Sequence, residues 1–160
     1  MKNFIVMVFM VATSMVSAQA YKGKGDVKGQ VGATFQDGAN GISISADFGI
    51  GENMSYGFVG SYLLSANSFA EFEDRVDVKA RFNANLGNVF KLDEKIDIYP
   101  GLNLGLRNFG AHLGVRYFFT DGFGLYTEAG IPIASYENNT NGFKNYNNQF
   151  VINIGASFNL

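Results

Sequence analysis

The sequence predicts an all-β protein, an eight-stranded antiparallel up-and-down transmembrane β-barrel. Three observations carry that expectation. Eight stretches alternate apolar and polar residues with a period of two, the signature of a strand with one greasy and one wet face. Gly/Asn/Asp-rich connections of hairpin type join several of them. Glycines and charges collect on the polar side of the alternation, where an enclosed lumen would need them.

In order along the chain, "VKGQVGATF" sets Val27, Val31, Ala33 and Phe35 against Lys28, Gln30, Gly32 and Thr34. "ISISADFGI" sets Ile42, Ile44, Ala46 and Phe48 against Ser43, Ser45, Asp47 and Gly49. "MSYGFVGSYL" follows with Tyr56, Phe58 and Tyr62 opposite Ser55, Gly57 and Ser61, Val59 being a misfit on the polar side. "VDVKARFNANL" is the cleanest, with Val78 and Phe82 opposite Asp77, Lys79 and Arg81. "IDIYPGLNLGL" places Leu104 opposite Asp97, Tyr99 and Asn103; "AHLGVRYFF" places Val115 and Tyr117 opposite His112, Gly114 and Arg116. "FGLYTEAGI" places Leu125 opposite Tyr126 and Glu128, and "FVINIGASFNL" places Ile152, Ile154 and Phe158 opposite Asn153, Gly155 and Ser157. Each pattern holds for roughly nine to eleven residues, the length a tilted strand needs to cross a bilayer.

Composition agrees. Only 16% of the chain is charged and the net charge is −2, which gives no support to nucleic-acid binding. There is no Cys and a single His, so few residues could serve catalysis or hold a metal. Residues 1–20 have Lys2, an apolar run from Phe4 to Ala12 and small residues at Ala18 and Ala20, as in an export signal. The expected organisation is therefore a signal peptide over 1–20, cut after Ala18 or Ala20, and a barrel over 21–160.

Alternation does not say which face is inside. A soluble lipocalin-like barrel binding a small apolar ligand would turn the greasy face inward, and a membrane barrel outward. Nine strand glycines lie on the polar face and two, Gly29 and Gly60, on the apolar face. Small residues inside a narrow lumen leave room for long polar side chains. The polar face also balances Lys28, Lys79, Arg81 and Arg116 against Asp47, Asp77, Asp97 and Glu128, as a sealed interior requires. The membrane arrangement is therefore expected, with Val78, Phe82, Leu104, Val115, Leu125, Ile152, Ile154 and Phe158 facing lipid. The last segment would pair with the first and leave no edge.

"YKGKGDVKGQVGATFQDG", "ARFNANLG", "YPGLNLGLRNFGAHLGVRYFFTDGFG" and "NNQFVINIGASFNL" resemble a family of small outer-membrane barrels from the Bacteroidota. The resemblance implies a Gram-negative outer membrane, contact with lipid and lipopolysaccharide, and assembly through the C-terminal strand by the barrel-assembly machinery. It brings no known activity or ligand; no catalytic activity, no cofactor and a monomer are expected.

His112, Glu128 and Ser43 contain the elements of a hydrolase triad, but the register points His112 into the lumen, where a hydrogen-bonded histidine is the expectation. The lumen charges are expected to form a static plug rather than an ion path, since eight strands leave a lumen filled by side chains. Phe35, Phe48, Tyr62, Tyr117, Phe119 and Phe123 fall near strand ends, as interfacial girdles would. The two long polar connections, 64–74 and 135–148, are expected to be solvated outer loops available for contact, the second carrying Phe143 and Tyr146.

Overall fold

The computed structural model describes residues 19–136 and 145–160. Most of the expected signal segment, residues 1–18, and Phe143 lie outside them. The strands are β1 (Val27–Gln36), β2 (Ala39–Gly49), β3 (Met54–Ser65), β4 (Val76–Ala84), β5 (Ile96–Gly105), β6 (Asn108–Phe118), β7 (Phe123–Ser135) and β8 (Val151–Asn159), with one helical turn, α1 (Phe72–Arg75), before β4. Every neighbouring pair is antiparallel, and β8 closes on β1 from Lys28↔Asn159 to Gln36↔Val151. Closure satisfies the backbone groups that an open sheet would leave unpaired at its two edges.

The pleat sorts the side chains. Ile44, Phe58, Val78, Leu104 and Ile154 point outward, each at least 47% exposed, whereas Lys28, Asp47, Asp77, Asp97 and Arg116 point inward at 2% or less. The polar lining of the described interior leaves no place for a soluble barrel with an apolar pocket. Val59 does lie on the lumen face, in register with Ser45 and Lys79.

Turn chemistry fixes the register. Gln36 pairs with Ala39, leaving Asp37 and Gly38 as the connection, and Gly38 takes φ +72°, a left-handed conformation that suits glycine. The β5–β6 connection is shorter than the sequence pattern indicated. Strand β6 begins at Asn108, three residues ahead of the expected Ala111, because β7 runs on to Ser135 and gives Asn108 and Gly110 partners at Ser135 and Pro132.

Both ends of the barrel are covered. At the end bearing the termini, Ala20 and Tyr21 are buried. The Ala20 N–H donates to the Glu94 carbonyl at 2.7 Å, and the Tyr21 hydroxyl lies 2.6 Å from the Met54 carbonyl and 3.0 Å from that of Gly51. Burial, with Asp26 nearby, pushes the Tyr21 phenol up to about 12, so it keeps its proton throughout the neutral range.

At the opposite end Tyr146 corrects the expectation of a solvated contact loop. It is buried with Ala39, Leu63 and Ala70. Its hydroxyl accepts from the Asn67 N–H and donates to the Gly38 carbonyl, each at 3.2 Å. Asn147 extends the same cap: its N–H donates to Gln36 Oε1 at 2.9 Å and its carbonyl accepts from Asn108 Nδ2 at 2.8 Å. The alternation pattern stops at strand ends, so it could not show that these residues fold back over the lumen.

Tyr146→Phe should lower stability by about 1–2 kcal/mol through its lost hydrogen bonds, and Tyr146→Ala by about 3–5 kcal/mol through the added cavity. Denaturant midpoints in detergent micelles measure both. A free contact loop would leave each midpoint unchanged.

Candidate functional site

The lumen is built around Arg81. Its Nε and Nη2 grip the Asp47 carboxylate at 2.6 and 2.7 Å, and Nη1 donates to Glu128 Oε2 at 2.8 Å. Nη2 also reaches Gln30 Oε1 and Ser45 Oγ, both at 3.0 Å. A guanidinium suits this position because its planar fork meets a carboxylate with two parallel bonds.

The pairing depends on a glycine between the partners. Asp47 on β2 and Arg81 on β4 are two strands apart, and Gly57 on β3 stands opposite both. A Cβ at Gly57 would strike Asp47 Oδ1, so only glycine leaves the gap across which the pair closes. The same device recurs around the wall. His112 on β6 reaches across Gly101 to Asn83 on β4, its Nε2 lying 2.8 Å from Asn83 Oδ1. Tyr126 on β7 crosses Gly155 and Gly32 to place its hydroxyl 3.3 Å from Ser43 Oγ on β2. Tyr99 lies over Gly114, where a Cβ would run into its ring.

Arg116, wholly buried, lies over the Tyr99 ring, 3.9 Å from its centroid. It stands 3.4 Å from Asp97 Oδ2 and 3.6 Å from Asp47 Oδ2. Asp97 is further held by Asn85 Nδ2 at 2.8 Å and the Gly87 N–H at 3.2 Å. Lys79 pairs with Asp77 at 3.2 Å. Lys28 pairs at 2.6 Å with Asp26, which the four-against-four balance had omitted. The two share a face at spacing i, i+2, but Asp26 precedes the first strand and fell outside the pattern. Tyr99 and Phe118, both fully buried, also help fill the lumen, although neither carries a formal charge that would single it out in the sequence.

All eight charges expected in the lumen therefore face inward, and they form several groups. Lys28 pairs locally near the terminal end; Asp47, Arg81, Glu128, Arg116 and Asp97 form a connected chain; Asp77 and Lys79 stand apart. Of the eight residues expected to face lipid, Val78, Phe82, Leu104, Val115, Leu125, Ile154 and Phe158 are exposed and Ile152 is half-buried. A small cavity of about 50 Å³ remains among Asp77, Lys79, Asn103, His112 and Glu128. It has room for a water or two rather than an organic ligand.

The imagined triad is not assembled. His112 engages Asn83 and lies 3.4 Å from the Asn103 amide, Ser43 faces Tyr126, and Glu128 is committed to Arg81. Among the described residues no cluster of His, Asp or Glu could hold a metal ion.

A closed eight-stranded wall with an apolar exterior and an ion-paired interior defines a transmembrane β-barrel fold. Comparison with solved structures found six matching chains. A de novo designed transmembrane β-barrel superimposes with a TM-score of 0.56 at 11% identity, over 87% of this chain and 98% of the design. Outer Membrane Protein G from Pseudomonas aeruginosa, solved by solution NMR, gives a TM-score of 0.49 at 9% identity, over 88% of this chain and 99% of that one. Residues 10–160 match the model of a family of unknown function, DUF6646, and the chain belongs to that family. No curated protein matches.

Arg81→Ala would leave Glu128 without a cation and Asp47 with only its longer contact to Arg116, and should cost about 3–5 kcal/mol. Arg81→Lys should recover only part of this, because an ammonium cannot make the two-pronged bond. Unfolding midpoints of the three proteins in micelles provide the test.

Proposed function

We propose that this protein is a non-conducting outer-membrane barrel with a structural role in the envelope. It is exported through an N-terminal signal and seated in lipid and lipopolysaccharide, with both termini toward the periplasm. The observation that carries the reading is the lumen: its cations have acidic partners inside the wall, and buried segments cover both ends. A pore for ions or solutes would need charges facing a continuous aqueous path.

The apolar exterior and the likeness to a designed membrane barrel support the membrane setting. The Bacteroidota source, a monomeric state and folding by the barrel-assembly machinery through β8 are parts of the same proposal, drawn from the family resemblance. The separate commitments of His112, Ser43 and Glu128 favour a role without triad catalysis.

Electrophoresis of unboiled and boiled outer-membrane fractions should show a heat-modifiable band, and the purified barrel should give no stepwise conductance in planar bilayers. Recovery only from the soluble periplasm would sink the membrane reading. Steady channels would sink the closed lumen.

The position of Ala20 also bears on processing. Its N–H bond to Glu94 and its burial favour cleavage after Ala18, leaving Gln19 as the first residue; cleavage after Ala20 would remove it from the inner plug. The intact mass of the protein from outer membranes distinguishes the two products by the residues Gln19 and Ala20.

A further inference from the structure

The connection between β3 and β4 carries two of the most exposed apolar side chains described, Phe69 at 81% and Phe72 at 69%. This connection is held in place. Arg75 donates to the carbonyls of Ala70, Asn67 and Leu64 at 3.2, 3.2 and 3.4 Å. Arg107, on the β5–β6 turn, donates to the Glu73 carbonyl at 2.5 Å. Ala70 is buried against Leu63 and Tyr146, which gives the segment an inner side.

Phe72 lies on the other side, its ring centroid 6.0 Å from that of Tyr62. Tyr62 belongs to the outward face of β3, in register with Ile42 and Val76, and the exposed Leu64 follows it upward. The greasy surface thus continues without a break from the strand wall onto Phe72.

We infer that residues 69–72 form a fixed hydrophobic lobe that enters the outer leaflet, so that its lipid contact rises above the strands at β3–β4. Continuity with the lipid-facing wall selects acyl chains as the occupant, and this rests on the membrane reading above. Exposed Glu71 and Glu73 flank Phe72 and set the depth. Their carboxylates must stay among headgroups, which keeps the rings at the headgroup–acyl boundary where aromatics are favoured.

The chain has no Trp, so a single introduced Trp reports one site. Phe69→Trp and Phe72→Trp are compared, in vesicles of phosphatidylcholine brominated on the acyl chains, with Phe82→Trp on the strand wall and Lys24→Trp near the terminal end. The lobe variants should lose most of their emission to the brominated chains, as Phe82→Trp does, and resist aqueous acrylamide. Quenching of both by acrylamide but not by brominated lipid, as for Lys24→Trp, overturns the lobe while leaving the barrel in the membrane. Protection from both quenchers overturns it in favour of a second copy of the chain covering the site. If Phe82→Trp itself escapes the brominated lipid, the membrane reading falls instead.

Discussion

The contact between Arg81 and Asp47 across Gly57 is the constraint to which much of the interior answers. A charge taken out of water is costly unless it is paired and its hydrogen-bonding groups are satisfied. Arg81 meets that demand with two carboxylates and two neutral oxygens from β1, β2 and β7, while itself standing on β4. One side chain thereby ties β4 to three strands with which it shares no backbone ladder. The contacts from Arg81 to Glu128 and from Tyr126 to Ser43 form only when the barrel is closed, so they stabilise closure itself rather than any single hairpin.

The glycines follow from this geometry. In a narrow barrel, adjacent side chains on one face stand too close for two large groups, yet pairs two strands apart must bridge the row between them. Gly57, Gly101, Gly114 and the Gly32–Gly155 pair remove that row at selected points. Glycine usually weakens a strand, and here the loss is offset by contacts that no larger residue would permit. The outer wall faces no such restriction, because lipid conforms to whatever apolar shape is presented.

The ends obey a different rule. Ladders stop at the rims, so coverage there falls to hydrogen bonds from single residues: Tyr21 and Ala20 at one end, Tyr146 and Asn147 at the other. Tyr146 shows how an Asn-rich stretch that reads as solvated can supply the anchor of a cap. The β1–β2 and β3–β4 connections both converge on its ring and hydroxyl. The β3–β4 connection uses the same cap from its inner side and leaves its aromatic residues facing out.

The sequence by itself determined the strand number, the inward or outward direction of Val78, Arg81, Ile154 and their neighbours, and the collection of charge in the lumen. A two-residue period is a local property of the backbone, legible without knowledge of any partner strand. Tertiary structure alone decided which charges meet, because pairing across a glycine depends on the stagger between strands and on closure. It joined Arg81 to Glu128, separated His112 from Ser43, and folded Tyr146 over the lumen. Those contacts join residues up to 108 positions apart, and no periodicity along one chain encodes such a distance.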